Sequence, residues 1–351
     1  MQAKLCTSEH FLLASAQTMN PLVAVITPTK NRLKLLCEAM DSVQRQTFED
    51  WEHIIVDDGS NDDTAEEVVR RAAADPRIRY IPRRSKTLGA NVCRNIGIRE
   101  SRAGLIVFLD SDDLLRPDCL ERRVRVIQRN PDLDFVTFAT AVFEKVPGDL
   151  GHRNQNDLFG DDLTRFLSFE CPWIITGPIW RKEALLRIGG FDEGLPSWQD
   201  VDLHVRVLAS GFKYLRYSEV DHDIRWQFEH TKVSVEQRRS MNHLETAPSI
   251  FAKFEKAVRE GPGMNWNRQR ALCGLYFTVA EMTLAAGDRS KALRCWREAK
   301  LRHLAPNPLY LQGALLLVLM SMGRVGRRVG ARLSHKWKGM VRFRTIPELV
   351  R

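Results

Sequence analysis

The stretch Leu105-Ile106-Val107-Phe108-Leu109-Asp110-Ser111-Asp112-Asp113 is the most informative part of this 351-residue chain. An apolar run that ends in clustered acids predicts a buried strand that delivers carboxylates to the edge of a sheet. In an open α/β sheet, ligands bind at the carboxyl ends of the strands. Carboxylate oxygens there suit Mg²⁺ or Mn²⁺, usually shared with substrate phosphates. The alternative is a plain strand-to-helix turn in which Asp112 or Asp113 caps the next helix.

The regions on either side of this stretch alternate between strand and helix patterns. Strands are predicted at residues 22–27, 53–56, 78–81 and 105–109, with helices at 33–46, about 62–74 and 90–101. This alternation indicates βαβ units, right-handed crossovers and a mainly parallel sheet. Further along, the patterns predict a helix from Pro117 to about 130, strands near 134–139 and 174–180, helices at 182–188 and 200–210, and a polar loop at 144–160.

Composition restricts the class of protein. Apolar residues make up 44% and charged residues 28% of the chain, which suits a soluble protein with a packed core. Seven scattered cysteines without a Cys-x-x-Cys pair argue against a zinc ribbon or a disulfide framework and for a reducing compartment. The first twenty residues lack a signal-peptide pattern.

The net charge of +9 is concentrated near the C-terminus. No Asp or Glu occurs between Glu298 and Glu348, an interval that holds ten Lys and Arg residues. The basicity therefore belongs to a tail, and we expect no nucleic acid among the partners of the protein.

Two further strand ends carry polar motifs. Thr27-Pro28-Thr29-Lys30-Asn31-Arg32 follows the first strand and lacks the Gly-rich dinucleotide and Walker patterns. Val56-Asp57-Asp58-Gly59-Ser60 follows the second, where a carboxylate can accept hydrogen bonds from a base or ribose; an Asx turn before a capped helix is the alternative.

Taken together, these motifs, with Arg94-Asn95-Ile96-Gly97-Ile98 between them, closely resemble the family 2, GT-A fold glycosyltransferases over about residues 21–235. The resemblance implies a GT-A fold, which is a mixed, mainly parallel sheet flanked by helices. It also implies inverting, metal-assisted transfer of a sugar from a nucleoside-diphosphate donor, linked to UDP, GDP or dTDP. Mg²⁺ or Mn²⁺ is the implied cofactor.

The resemblance also assigns the donor side by position. Pro28, Thr29 and Asp58 match residues that hold the nucleoside, with Asp58 on the base, and Arg94 matches a position near the diphosphate. Asp110, Ser111 and Asp112 match the Asp-x-Asp motif: Asp112 is the expected metal ligand, and Asp110 faces the ribose or the waters of the metal.

On the acceptor side, Thr176-Gly177-Pro178 and Trp198-Gln199-Asp200 match the family pattern. Asp200 is the expected general base, since an inverting transfer needs a carboxylate to deprotonate the acceptor hydroxyl. Gln199 stands where relatives have Glu. A helix cap is the alternative for Asp200, and a core position is the alternative for Trp198.

Many relatives place a histidine after the acceptor helix, near the diphosphate or metal. Here His222 and His230 both compete for that role, and the local spacing matches neither cleanly. A structural role, or for His222 an ion pair with its neighbouring aspartates, is the alternative.

The expected organisation has four parts. They are a disordered N-terminal extension (1–20), a catalytic domain (21–235, divided at 116/117 into nucleotide-sugar and acceptor halves), a helical extension with one hairpin (236–308) and an apolar, basic tail (309–351). Leu309 to Met322 is too short for a membrane span, which needs about 20 residues.

The tail continues with apolar residues every fourth position. They are Val325, Val329, Leu333, Trp337 and Val341, with Arg and Lys between them. This pattern predicts that residues 309–344 dock on an anionic membrane surface, so that the protein is cytoplasmic and peripheral on the cytoplasmic face. Packing against the catalytic domain is the alternative.

The expected acceptor is a saccharide or lipid-linked saccharide of cell-surface polysaccharide or glycolipid synthesis. A nucleotidyltransferase of the same fold is disfavoured because the first strand lacks a Gly-rich phosphate loop. A non-catalytic nucleotide-sugar-binding or scaffold protein on the same fold is the remaining alternative, against which the presence of both Asp112 and Asp200 argues.

Overall fold

A computed structural model describes residues 20–83, 89–150, 160–196, 198–226 and 241–340. The predicted disordered extension at 1–20 lies almost wholly outside the described residues.

The first half of the chain forms parallel strands joined by helices, as predicted. Its elements are β1 (Val23–Thr29), α1 (Leu33–Gln44), β2 (Trp51–Asp57), α2 (Thr64–Ala74), β3 (Ile78–Pro82), α3 (Ala90–Glu100) and β4 (Leu105–Phe108). β1 pairs in parallel with β2 and β4, and β2 pairs in parallel with β3. The carboxyl ends of these strands therefore lie together at one edge of the sheet.

The second half adds antiparallel and parallel strands to the same sheet. Its elements are β5 (Leu114–Leu115), α4 (Cys119–Arg129), β6 (Phe135–Phe143), α5 (Asp162–Leu167), β7 (Pro178–Arg181), α6 (Lys182–Arg187), α7 (Gln199–Ala209) and β8 (Tyr214–Arg225). The strand order is β3-β2-β1-β4-β7-β6-β8-β5, with β7 antiparallel to both β4 and β6. The sheet is thus mixed and mostly parallel, with helices on its flanks.

Both faces of the sheet are covered. In β1, Ala24 and Ile26 belong to one buried cluster while Val23 and Val25 belong to another. Successive strand residues point to opposite faces, so a continuous apolar run such as β1 requires a core on each side. This explains why these strands read as unbroken apolar runs in the sequence.

Several elements differ from the sequence predictions, and β5 and α5 are among those that were not predicted. The strand predicted at 174–180 begins only at Pro178, because Gly177 closes a turn on Ile174 through a 3.1 Å backbone hydrogen bond. β8 was not predicted, since it contains several charged residues that are uncommon in strands. It pairs in parallel with β6, with irregularities beside Ala139.

Helices follow from residue 241 onward, as predicted. They are α8 (Met241–Glu260), α9 (Trp266–Ala285), α10 (Arg289–Leu301), α11 (Asn307–Met320) and α12 (Gly323–Met340). α9 and α10 form the predicted hairpin around Gly287-Asp288, where the Asp288 side chain accepts a 2.8 Å hydrogen bond from Lys291 N and caps α10.

The apolar stripe predicted in the tail does not stay on one exposed face. Val329 and Leu333 are 48% and 44% exposed, whereas Trp337 is only 6% exposed and lies 4.8 Å from Phe277 between ring centroids. A spacing of four residues advances by about 40° per step around a helix, so the stripe turns inward by Trp337. Val341 lies outside the described residues.

Candidate active site

The ends of β1 and β2 bring the predicted nucleoside residues together. Thr29 pairs with Asp57 in the sheet, and the next backbone N–H, that of Asp58, donates to Thr29 O at 2.8 Å. Pro28, Thr29 and Asp58 are all buried. The Thr29 hydroxyl has no hydrogen-bond partner within the described part of the chain.

The carboxylate of Asp58 is held by two donors. Arg83 donates to one oxygen, and Gly89 N donates to the other at 2.9 Å. The Arg83 side chain is only 5% exposed, and its Nη2 has no partner among the described residues. Arg83 was not predicted as a site residue, although it directly follows β3, as Asp58 follows β2 and Asp110 lies after β4.

Asp57 has a structural role in the turn after β2. One oxygen accepts hydrogen bonds from Ser60 N at 2.9 Å and Ser60 Oγ at 2.6 Å, and the other accepts from the Tyr80 hydroxyl at 2.7 Å. Gly59, which lies between Asp57 and Ser60 in the chain, has a φ of +82°, which a residue with a side chain rarely adopts. The predicted Asx-type turn is therefore present, and it orients Asp58 at the edge of the sheet.

The acidic loop after β4 makes a different contact through each aspartate. Asp110 accepts from Arg94 Nη2 at 2.5 Å, and Asp112 accepts from Arg32 Nη1 at 3.2 Å. Ser111 between them is buried. Both carboxylates are partly exposed, with 33% and 17% of their side-chain surface open.

Asp113 is buried and ties the loop to the second half of the chain. It accepts hydrogen bonds from Thr176 Oγ1 at 3.0 Å and Arg225 N at 3.2 Å. Burial, and then the nearby charges of Asp112 and Asp110, raise the pKa of Asp113 well above its usual value. The helix-cap alternative does not apply to Asp112 or Asp113, because α4 begins only at Cys119, after Asp118.

Arg94 connects the two halves of the site. The Arg94 side chain is 5% exposed; Nη2 contacts Asp110, while Nη1 lies 4.0 Å from Asp200 Oδ1. Burial lowers the pKa of Arg94, but the Asp110 and Asp200 carboxylates outweigh this effect and raise it. One guanidinium thus places the predicted metal loop and the predicted general base next to each other.

The neighbouring Asn95 fixes the loop before α7. Its amide donates to Phe191 O and Glu193 Oε1, both at 2.9 Å, and its carbonyl accepts from Phe191 N at 2.8 Å. A Cβ added to Gly190 would lie 2.5 Å from Asn95 Oδ1, so this contact requires glycine there. In the sequence Asn95 is recognisable only as part of the motif at residues 94–98, because its contacts depend on the fold.

Asp200 lies in the first turn of α7, with 41% of its side chain exposed. Gln199 is the first residue of that helix and is half-buried. Trp198 precedes it in a left-handed conformation, with a φ of 59°, and its ring lies 5.0 Å from Phe169 and 5.4 Å from Phe251. Trp198 therefore packs in an aromatic cluster, as expected from the alternative that it is a core residue.

Gly177 is buried against β6. An added Cβ would meet Thr137 Oγ1 at 3.0 Å and the Phe138 carbonyl oxygen at 3.2 Å. This close packing against β6 is a sufficient reason for glycine at this position, so the residue need not contact an acceptor.

His222 is fully buried and both of its ring nitrogens are engaged. Nδ1 lies 2.8 Å from Asp221 Oδ1 and 3.2 Å from Arg123 Nη2, and Nε2 lies 2.8 Å from Thr140 Oγ1. The structure thus favours the structural alternative and removes His222 from the candidate metal ligands. His230 lies outside the described residues.

The donor set in the acidic loop fits a divalent cation. Asp110 and Asp112 supply hard carboxylate oxygens, and Mg²⁺ or Mn²⁺ commonly binds through one or two carboxylates plus substrate phosphates. Among the described residues, no group of three His, Cys, Asp or Glu side chains could hold a metal alone. A metal here would therefore depend on oxygens of the donor diphosphate.

The mixed sheet, with acids after β2 and β4 and a further acid at the head of α7, defines a GT-A type glycosyltransferase fold. Residues 24–188, a little under half of the chain, match the model described as Glycosyl transferase family 2.

Similar proteins agree with this assignment. The chain is 29% identical over 196 residues to an uncharacterized glycosyltransferase of Methanocaldococcus jannaschii, covering 55% of this chain and 67% of the relative. It spans only 20–30% of the length of several other curated relatives.

Two solved structures share the fold. Staphylococcus aureus TarS 1–349 in complex with UDP-GlcNAc has a TM-score of 0.62 at 14% identity, covering 92% of this chain and 89% of that one. The mannosyltransferase PcManGT from Pyrobaculum calidifontis, in complex with GDP-Man and Mn²⁺, has a TM-score of 0.53 at 20% identity, covering 93% and 85%.

Proposed function

We propose that this protein transfers a sugar from a nucleoside-diphosphate donor to an acceptor hydroxyl with inversion at the sugar carbon. The contact that supports this most strongly is Arg94, which reaches both Asp110 of the acidic loop and Asp200 of α7. An inverting transfer needs the leaving diphosphate and the base on opposite faces of one sugar, and Arg94 lies beside a candidate group for each of these two roles.

The nucleoside is proposed to bind at the ends of β1 and β2. Pro28 and Thr29 would line this site, and Asp58 would accept hydrogen bonds from the base, with Arg83 fixing the orientation of its carboxylate. The related structures bind UDP-GlcNAc and GDP-Man, and we propose a UDP-, GDP- or dTDP-linked sugar here.

Asp112, with Asp110, would hold Mg²⁺ or Mn²⁺ together with the donor diphosphate, and Ser111 would support the loop between them. When bound, the cation would neutralise charge on the departing diphosphate. Arg94 would place a second positive charge next to the same group, since it is buried beside Asp110.

On the acceptor side, Asp200 would take the proton from the attacking hydroxyl. Its position in the first turn of α7, partly open to solvent, leaves room for an acceptor. Gln199 would contact the sugar or acceptor. We propose a saccharide or lipid-linked saccharide of cell-surface glycan synthesis as the acceptor, met at the cytoplasmic face of a membrane.

Two matched variants test this function. Thermal stabilisation by UDP, GDP, CDP and dTDP is measured with and without Mn²⁺, and transfer is measured with the donor so identified. We expect one nucleotide to stabilise the protein in a Mn²⁺-dependent way, and Asp112→Asn to abolish this effect. Asp200→Asn should keep the stabilisation but lower kcat by about 10²–10⁴-fold.

Full transfer activity in Asp200→Asn would contradict the role of this base. Stabilisation by no nucleotide, with or without Mn²⁺, would instead favour a scaffold protein on the same fold.

A further inference from the structure

The C-terminal helices α11 and α12 carry exposed apolar side chains that the fold does not cover. In α11 and the turn after it, Leu311, Leu315 and Met322 are 64%, 61% and 62% exposed. In α12, Val329 and Leu333 are 48% and 44% exposed. We call these five residues the outer face of the C-terminal hairpin.

The outer face is a continuous arc on each helix. At roughly 100° per residue, Leu311 and Leu315 lie about 40° apart around the axis of α11, and Met322 follows in the turn after that helix. Val329 and Leu333 are likewise about 40° apart on α12. Neither group is therefore a scatter of single exposed residues.

Both arcs lie on the side of the hairpin that faces away from the rest of the protein. On α11, the opposite side packs on α10, where a Cβ added to Gly313 would lie 2.6 Å from the Trp296 ring. On α12, the opposite side meets α9 through Lys338 Nζ, 2.6 Å from Glu281 Oε2. The exposed apolar side chains of each helix therefore lie opposite the contacts that hold that helix on α9 or α10.

The two helices are also fixed to each other. Trp337 Nε1 donates to Gln312 Oε1 at 2.9 Å, and a Cβ added to Gly330 would lie 2.5 Å from Met320 Cγ. The close approach allowed by Gly330 joins α11 and α12 into one antiparallel pair. The outer face is thus presented by a packed unit.

The charges next to the outer face are all positive. Arg328, Arg332 and Lys336 are exposed on α12, between or beside Val329 and Leu333. The sequence contains no Asp or Glu from residue 299 to 347. No helix of the described residues is long and apolar enough to cross a membrane. Apolar side chains flanked only by cations match the boundary of a bilayer that contains anionic lipid.

We infer that the outer face docks on an anionic membrane surface, with Leu311, Leu315, Met322, Val329 and Leu333 at the acyl boundary and Arg328, Arg332 and Lys336 on the headgroups. Trp337 is not part of this contact, because it is buried against Phe277. This inference adds a partner to the proposed transferase, and it holds or fails independently of the sugar chemistry.

The test is co-sedimentation of the full chain with vesicles of phosphatidylcholine alone or mixed with phosphatidylglycerol, at low salt. We expect binding to the mixed vesicles only. Leu311→Glu/Leu315→Glu should lower the partition coefficient at least tenfold, since two apolar side chains lose their burial. Arg328→Gln/Arg332→Gln should lower it by roughly fivefold per charge removed.

Matched variants elsewhere control for nonspecific effects. Leu186→Glu changes a 53% exposed leucine on α6, and Arg70→Gln/Arg125→Gln removes two exposed charges from α2 and α4. Both controls should bind vesicles as the unchanged chain does.

Equal binding to both kinds of vesicle, or unchanged binding by the outer-face variants, would overturn the inference. A dimer that Leu311→Glu/Leu315→Glu dissociates, without vesicle binding by the unchanged chain, would instead identify the face as a contact between two copies. Nucleotide stabilisation is measured on every variant: its absence while vesicle binding persists would count only against the transferase.

Discussion

A buried ion pair between α4 and β8 supports the acceptor half of the sheet. Arg123 and Asp221 are both fully buried and form a bidentate ion pair. Arg123 Nε donates to Asp221 Oδ2 at 2.7 Å, and Nη2 donates to Oδ1 at 2.8 Å. Arg123 Nη1 also donates to the Thr176 carbonyl oxygen at 2.8 Å. Since the Thr176 hydroxyl donates to Asp113, this network reaches the acidic loop.

Removing the cation should be costly because it leaves a buried carboxylate without its charge partner. Arg123→Met is expected to lower the free energy of unfolding by about 3–5 kcal/mol, the usual cost of breaking such a pair. The corresponding fall in Tm for a chain of this size is on the order of 5–10 °C. Arg125→Met is the matched control, since Arg125 lies on the same helix but pairs with Glu121 at the surface; it should cost under about 1 kcal/mol.

The pH dependence gives a second measurement. Burial raises the pKa of Asp221, but the charge and hydrogen bonds of Arg123 outweigh it and lower the pKa from 3.8 to about 2. A depressed carboxyl pKa stabilises the fold above the unfolded value, and that stability is lost as pH falls from 3.8 toward 2. In Arg123→Met, Arg123 no longer opposes the effect of burial, which raises the Asp221 pKa, so the loss of stability should be larger at pH 7 than near pH 4.

The assay is urea and thermal unfolding of the three proteins at pH 7 and pH 4, with the double variant Arg123→Met/Asp221→Asn added. The double variant should be more stable than Arg123→Met, because it no longer buries an unpaired charge. Unfolding of Arg123→Met at the same point as Arg125→Met would contradict this prediction, and so would a double variant less stable than Arg123→Met.

Two further predictions concern stability. Burial lowers the pKa of His204 to about 3, so the unfolded chain binds a proton that the folded one does not, and stability should fall as pH drops below about 6.5. In thermal unfolding, His204→Phe, in a site lined by Phe166 and Trp180, should make the dependence of Tm on pH shallower. An unchanged dependence would contradict the lowered pKa of His204. Gly97→Ala should lower the free energy of unfolding by about 1–3 kcal/mol, because the added Cβ would lie 2.4 Å from Ile26 Cγ2. Gly104→Ala is the control, since a Cβ added there would have no atom within 4 Å. Equal Tm values for the two variants would show that α3 moves freely away from β1.

The positions of several candidate residues in the sheet can be read from the sequence. Asp58 and Asp110 were selected because each follows a buried strand, and parallel strands place such residues at one edge of the sheet. The same rule applies to Arg83 at the end of β3, which was overlooked because β3 is short and only its first residue is buried. The metal role left open for His222 was wrong for a different reason. Nothing in the local sequence shows that β8 pairs with β6 and encloses the His222 ring.

Trp198 and Trp337 show the limit of pattern reasoning for aromatic residues. The pattern favours a membrane surface for Trp337, and for Trp198 it leaves open an acceptor contact or a core position. Both side chains pack in aromatic clusters with residues distant in sequence: Trp198 with Phe251, and Trp337 with Phe277. A single side chain carries no information about which neighbour will cover it.

The βαβ order of the first half, most helices of the second, and the acids that follow β2 and β4 can be read from the chain without its fold. These features are encoded by periodicity and turn chemistry within runs of consecutive residues. Which distant charges meet depends on the fold. Arg83 reaches Asp58 across 25 positions and Arg123 reaches Asp221 across 98, and such contacts arise only when strand pairing and helix packing bring distant segments into a buried space where an unpaired charge is costly.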